Sequence, residues 1–385
     1  MDRILMIPGP TDVDQRVIDA MRRQMIDHRS GDFRVMMREL EERSRRIFQT
    51  ENDVYLLTCS GTGGVEFAVA NLVDKDDRVL VPVFGVFGER LAEACEFYTR
   101  NVVRVEIPLG RAADPEVLKK ALDENKDVNV VAFPYNDTST GTICHDLEGI
   151  MRICRERGVY TIVDAVSILG GRDIPVDRLG IDVCITGSQK CLAAPPGVAL
   201  VSFSERAYEK ARRKEKRPHY LDVTKYRHFM RDRSETPFTP VITIFFALNE
   251  SLRIILEEVG FGKWVRRHEA GAEALYKGLE RLGVSFMTEP RYRSPTVIAL
   301  NPQQGIDAEE IRRVMRERFS IMIAGGLAKF RGKMFRIANI GNISQQRILL
   351  TIEALGKTLN ILGVKADVEE AVNSCKEVFA GRWPG

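Results

Sequence analysis

The chain has 385 residues, 44% of them hydrophobic, which is enough for a large core and for more than one domain. Its 57 basic and 54 acidic side chains leave a net charge of +3, so composition makes no case for a nucleic-acid partner. The seven cysteines form no CxxC pair and no Cys/His ligand spacing, and no apolar run is long enough to span a bilayer; a reduced, soluble, cytoplasmic protein without a metal site or a membrane is expected.

In chain order, "MDRILMIPGPT" lacks the apolar core of a secretion signal and is broken early by Pro8 and Pro10. From about residue 53, short apolar runs alternate with helical patterns. Strands are expected at 53–58, 78–83, 102–107, 128–133, 159–164, 182–186 and 198–203. Helices are expected after the first of these and near 86–98, 114–124 and 145–157. Near-continuous Val, Ile and Leu mark strands buried on both faces, and strand–helix alternation implies a mostly parallel seven-stranded sheet between helical layers. The run "RAYEKARRKEKR" at 206–217 interleaves glutamates among its basic residues and reads as a solvated helix face. A long helical region at 242–282 carries a break at "VGFG" (259–262). An α+β pattern follows, with strands near 284–287, 295–301, 320–324 and 334–341 and helices at 307–318, 344–362 and 367–380. The expected organisation is an N-terminal arm and large domain over 1–262 and a smaller C-terminal domain over 263–385.

In an open parallel sheet, ligands bind beyond the carboxyl ends of the strands. After the first strand, "CSGTGG" offers Gly61, Thr62 and their neighbours as an anion cup at a helix N-terminus. A plain strand–helix turn is the competing reading. After "VPV" stands Phe87, a flat apolar surface. After "VAFPY" comes the hydroxyl-rich "NDTSTG" (136–141). Asp164 ends another strand, and Lys190 follows the next in "TGSQKCLAAPPG", among apolar and weakly polar neighbours. A lysine kept from solvent tends to lose its proton and becomes a nucleophile that can form a Schiff base. Arg336 lies in the strand-like "MFRIANIG", where the alternative is an edge arginine facing solvent; its guanidinium fork suits a carboxylate. Amine, buried acid, anion cup, flat ring and hydroxyls on one sheet edge are what pyridoxal 5'-phosphate requires.

The segments "GTGGVEFAVANL", "NDTSTG", "VDAVSILGG", "GSQKCLAAPPGVAL", "FTPV" and "AGGLAKFRGKMFRIANIG" occur in an order that resembles the class V aminotransferases, in particular the serine–pyruvate and alanine–glyoxylate branch. The resemblance runs from "PGPT" at 8–11 to about residue 360, and the 26-residue spacing from Asp164 to Lys190 fits it. It implies a fold-type-I α/β architecture with pyridoxal 5'-phosphate bound. Lys190 resembles the lysine that takes the cofactor and shuttles the proton; Asp164 looks like the partner of the pyridinium nitrogen. Phe87 stands where the family stacks an aromatic on the ring, often Trp, with Val166 on the other face. Gly61, Thr62 and Gln189 match phosphate-side positions, and Thr138 matches a hydroxyl near the ring. Thr239 resembles a threonine that reaches the phosphate of a neighbouring subunit, which implies a homodimer; Thr236 stands where some members carry a tyrosine. Arg336 resembles the substrate-carboxylate clamp, and Gly9 the lining of the same mouth.

The implied reaction is a ping-pong transfer of an amino group between small amino and keto acids: serine or alanine as donor, glyoxylate or pyruvate as acceptor. An aspartate aminotransferase would need a second buried cation, for which His28, Arg29 and Arg34 are the candidates; Asp27 and Asp32 beside them are the expected occupants. A lyase such as a cysteine desulfurase needs a cysteine on a mobile loop over the cofactor. Cys375 stands too near the end of the chain and Cys191 adjoins the lysine, while Gln189 stands where those lyases tend to carry histidine.

Overall fold

The computed structural model describes residues 3–385. It opens with a short strand, β1 (Ile4–Met6), then helices α1 (Gln15–Ala20) and α2 (Gly31–Phe48). Helix α2 is not among the expected elements. Its start is nonetheless a recognisable cap, the Ser30 hydroxyl accepting from Phe33 N–H, and Phe33, Met37, Leu40 and Ile47 recur on its buried side.

Strands and helices then alternate: β2 (Asp53–Leu57), α3 (Gly61–Leu72), β3 (Arg78–Val83), α4 (Val86–Tyr98), β4 (Asn101–Glu106), α5 (Pro115–Glu124) and β5 (Val130–Pro134). A small hairpin, β6 (Asn136–Asp137) and β7 (Thr142–Ile143), precedes α6 (Leu147–Glu156), β8 (Tyr160–Asp164), α7 (Val176–Leu179), β9 (Val183–Gly187) and β10 (Ala199–Phe203). The seven expected strands form one sheet in the order β2-β10-β9-β8-β5-β3-β4, in which only β10 runs antiparallel to its neighbours. Alternate residues enter two different cores. Val131, Phe133 and Val163 pack on the side of α2 and α6, and Val130, Ala132 and Ile162 on the side of α3 and α4. This two-sided burial is why these strands read as unbroken apolar runs rather than as alternation.

Three more helices follow, α8 (Glu205–Arg212), α9 (Val223–Arg233) and α10 (Ile242–Arg253). The basic run at 206–217 is not a solvated face throughout. Lys214 is buried, and its ammonium donates to the carbonyls of Ala70 and Val73, closing the C-terminal end of α3, where the helix dipole favours a cation. A π-helical turn (Ile254–Val259) ends at Gly260, whose φ of +83° suits a residue without Cβ, and α11 (Phe261–Arg281) starts there, at the expected break.

The remaining elements are β11 (Ser285–Phe286), β12 (Val297–Asn301), α12 (Ala308–Phe319), β13 (Ile321–Gly325), β14 (Phe335–Ala338), α13 (Gln345–Ile361) and α14 (Val368–Arg382). Their sheet has the order β1-β13-β14-β12-β11. The first strand therefore belongs to the smaller sheet: Ile4–Met6 pair in parallel with Ile321–Ile323, and Met6 is buried in the C-terminal core. The arm expected with the large domain is thus shared between the two, because β13 presents an edge that β1 completes. No helix among the described residues is long and apolar enough to cross a membrane.

Candidate active site

The loops that follow β2, β3, β5, β8 and β9 all open on the same edge of the large sheet, because those strands run in one direction. They enclose a cleft of about 610 Å³, open mouth included, whose lining contains Gly61, Thr62, Phe87, Thr138, Asp164, Val166 and Lys190. Seven of the residues singled out from the sequence thus meet in one place. Among the described residues no cysteine lines this cleft. Six of the seven cysteines are buried, and burial raises the pKa of the seventh, Cys59, to about 11, so none is an accessible thiolate.

Lys190 lies in the tight turn after β9. Ser188 Oγ donates to Pro195 O at 2.6 Å, and Trp264 Nε1 of α11 donates to Cys191 O at 2.9 Å, so the turn is tied at both ends. Burial lowers the Lys190 pKa below the ordinary lysine value; its charge feels Asp164 favourably and Arg336 unfavourably. Its ammonium donates to Pro8 O of the arm. Gly9 has φ +118°, and a Cβ there would stand 2.6 Å from Lys190 Nζ, so glycine is required for the backbone to lie on the amine.

Asp164 ends β8, where its Oδ1 accepts from Val166 N–H at 2.9 Å. Burial pushes its pKa up to about 6. A cation brought within about 4–6 Å would restore the carboxylate by about 1–3 pKa units. Val166 fits against Gly61, where a Cβ would come within 2.7 Å of Val166 Cγ1. Ser60 makes no side-chain cap bond, so the first N–H groups of α3, at Gly61–Gly63, have no side-chain partner and face an anion-ready helix start.

The other expected residues stand at the margin. Arg336 does not line the cleft itself; it lies behind Thr138 and is 5% exposed. Its guanidinium donates to Thr138 O at 2.9 Å and twice to Gly325 O, at 3.0 and 2.6 Å. Three of five N–H groups are thereby used, two are left, and its partners among the described residues are carbonyls rather than a carboxylate. Burial without an acid partner lowers its pKa to about 10. Gln189 Oε1 is buried without a hydrogen-bond partner. Thr239 is exposed and outside this chain's cleft, while Thr236 is buried and donates to Phe238 O. His28 packs edge-on against Phe33, with its Nδ1 3.8 Å from the expected neighbour, Asp27. Arg29 and Arg34 are both occupied, but not by Asp27 or Asp32. Both pair with the buried carboxylate of Glu235, at 2.6 and 2.7 Å.

Sequence reasoning passed over three residues. Asn136 lines the cleft with its amide held by Ser167 Oγ and Thr296 Oγ1, leaving its Oδ1 buried and unpartnered. Arg90, one turn after Phe87, lies over that ring at 5.3 Å. Asp137 is fully buried beneath the start of α4. The hydroxyl-rich loop drew attention in the sequence; its one acid did not, because the helix start it holds, at Phe87 and Gly88, lies some 50 residues away.

Pyridoxal phosphate fits these groups. The start of α3 has N–H groups that no side chain claims, and a buried acid, Asp164, and an amine whose burial favours its neutral form, Lys190, flank the cleft. Comparison with known proteins leads to the same chemistry. The family model "Aminotransferase class-V" matches residues 4–341. An uncharacterized aminotransferase of Methanocaldococcus jannaschii is 37% identical over 98% of this chain and 97% of its own length. The alanine–glyoxylate aminotransferase of Drosophila melanogaster is 31% identical over 96% of this chain and 95% of its own. The solved structure of pyridoxamine–pyruvate aminotransferase from Mesorhizobium loti superimposes with a TM-score of 0.94 at 27% identity, covering 99% of this chain and 98% of that one. The chain belongs to the class-V aminotransferases, pyridoxal-phosphate-dependent transaminases of fold type I.

Proposed function

We propose that this enzyme moves an amino group from a small uncharged amino acid, serine or alanine, to glyoxylate or pyruvate in a ping-pong cycle. The carrying observation is where the cations stand: Arg336 is buried behind Thr138 with two N–H groups left, Arg29 and Arg34 are held by Glu235, and Arg90, at the cleft wall, is exposed over the Phe87 ring. Every α-amino acid needs one cation for its α-carboxylate. A second carboxylate would be buried unpaired, a loss of several kcal/mol and about 10²-fold or more in discrimination. The 31% identical alanine–glyoxylate aminotransferase supports the same direction.

Pyridoxal phosphate, when bound, supplies an aldehyde that joins amines and a ring that takes up the electrons released at the amino acid's α-carbon. The chain's residues do the rest. Lys190, with its lowered pKa, is the amine that holds the cofactor and then takes and returns the α-proton. Asp164 keeps the ring nitrogen protonated. Phe87 and Val166 would offer apolar surface to the ring, and Thr138 and Asn136 polar groups, all from the cleft lining. Gly61, Thr62 and Gln189 hold the phosphate, and Thr239, exposed here, reaches the phosphate of a second copy in a homodimer. Gly9 lets the arm lie against the Lys190 amine. We assign residues 263–385, with strand β1, to the small domain that carries Arg336, and the rest to the cofactor domain.

The test is a half-reaction. The loaded enzyme is mixed separately with serine, alanine, aspartate and glutamate, and conversion of cofactor to pyridoxamine phosphate is followed by absorbance. Serine and alanine should exceed aspartate in kcat/KM by about 10²-fold. Faster reaction with aspartate would contradict the small-substrate assignment. Arg34→Ala should lower stability through Glu235 while changing this ratio by no more than about twofold.

A further inference from the structure

Asp137 is not among the residues that line the cleft, yet it holds the start of the helix that carries Phe87. Its Oδ2 accepts the N–H groups of Phe87 and Gly88, at 2.9 and 3.2 Å, across the start of α4. Its Oδ1 accepts Ser139 N–H at 2.9 Å and the Ser139 hydroxyl at 2.5 Å. That hydroxyl in turn accepts Val86 N–H at 2.8 Å. The carboxylate therefore closes the first turn of the helix that carries Phe87, a task that the local cap residue, Gly85, has no side chain to perform. Gly85 is also why the acid fits: a Cβ at that position would stand 2.4 Å from the carboxyl group. The next residue after Asp137 is Thr138, whose carbonyl receives Arg336. One buried group thus fixes the backbone under Phe87 on one side and the backbone that Arg336 grips on the other.

We infer that Asp137 is a positioning residue that holds Phe87 and the Thr138–Arg336 contact in register, so that ring face and substrate cation keep a fixed spacing. This rests on the roles proposed above for Phe87 and Arg336. Burial raises the pKa of Asp137 and the donors from Ser139, Gly88 and Phe87 work against that rise; in its ionised form the group acts favourably on Arg336, which has no acid partner. Serine hydroxyls cap other helices of this chain, as Ser30 and Ser204 do; here a carboxyl group that is 0% exposed does so, held by four donors.

The experiment compares wild type, Asp137→Asn, Phe87→Ala and the double variant as loaded enzymes. The measurements are cofactor dissociation, the visible circular dichroism of bound pyridoxal phosphate, and KM and kcat for alanine. The introduced amide can accept on one side only and turns N–H groups either toward Phe87 and Gly88 or toward Ser139 N–H. Asp137→Asn should release cofactor about tenfold more readily, shrink the dichroic band and raise KM for alanine. In the Phe87→Ala background its effect on cofactor release should fall to less than about threefold, since the held ring is gone. Wild-type dichroism and cofactor affinity in Asp137→Asn would overturn the inference, and so would fully additive effects in the double variant. Should Asp137→Asn not fold, Ser139→Ala carries the test: it removes one donor to the carboxylate and the acceptor of Val86 N–H, and unchanged cofactor release would overturn the inference. A wild-type enzyme that fixes no cofactor on Lys190 would instead defeat the functional reading on which it rests.

Discussion

Single residues in this site are constrained by close approach more than by stability. Gly9 illustrates it. An alanine there would press its methyl to 2.6 Å from Lys190 Nζ and 2.9 Å from Cδ. The lysine tip can move aside at little structural cost, but that tip is the proposed reactive atom. Gly9→Ala should therefore lose at least about tenfold in kcat, with a stability loss of only about 1–3 kcal/mol from the φ of +118°. Thermal unfolding and steady-state kinetics measured together check this; an unaltered kcat would show that the amine does not work where it lies. Arg336→Lys is a second test at this scale. A lysine keeps the charge and loses the fork, so KM for alanine should rise by about 10-fold or more with a smaller change in kcat. Asp164, which ends β8, and Lys190, just after β9, were legible in the sequence because they close strands of the large sheet, whereas Arg336 lies within β14. The hold of Asp137 on Phe87 and Gly88 and the Glu235 partnership with Arg29 and Arg34 were not legible, because those contacts span about 50 and 200 residues of chain. Asp27 and Asp32 were the natural guesses only because they are near in sequence.

At the scale of elements, periodicity located all seven strands of the large sheet and the break at Gly260. Burial on both faces made the strands conspicuous. It failed at α2, whose dense charges hide a narrow apolar stripe, and at β1, whose partner strand lies more than 300 residues away. Lys214 is a related failure: charge patterning reports the composition of a face, not whether one ammonium turns inward to meet carbonyls. The double-sided sheet also makes a prediction. Phe133 sits in β5 next to the loop that carries Asn136 and Thr138 and is 1% exposed. Phe133→Ala should cost about 3–5 kcal/mol in urea unfolding. A loss below about 1 kcal/mol would mean that this strand is not packed as described.

For the whole molecule, the two sheets meet through Lys190 and its neighbours. The arm touches the amine through Pro8 and pairs with β13 through Ile4–Met6, and α11 holds the Lys190 turn through Trp264. His268 of the same helix is fully buried, with Nε2 accepting from Gly341 N–H at 3.0 Å and Nδ1 beside Trp264 O at 3.0 Å. Burial holds its pKa down at about 4, against an ordinary 6.5. Because the folded value is the lower one, its contribution to stability is complete above pH 6.5 and is lost as pH falls toward 4. The full loss is about 3 kcal/mol. Unfolding midpoints of wild type should therefore fall between pH 6.5 and 4 more steeply than those of His268→Gln; equal slopes would mean that His268 does not drive the loss.

If Lys190 holds the cofactor in the cleft built by the large sheet, borohydride reduction of the loaded enzyme should make that bond permanent. Peptide mapping then reads out where it formed. The reduced cofactor is expected on the peptide containing Lys190, and Lys190→Ala is expected to bind cofactor without fixing it and to lose several orders of magnitude in turnover. Recovery of the reduced cofactor on another lysine, or substantial turnover by Lys190→Ala, would contradict the assignment.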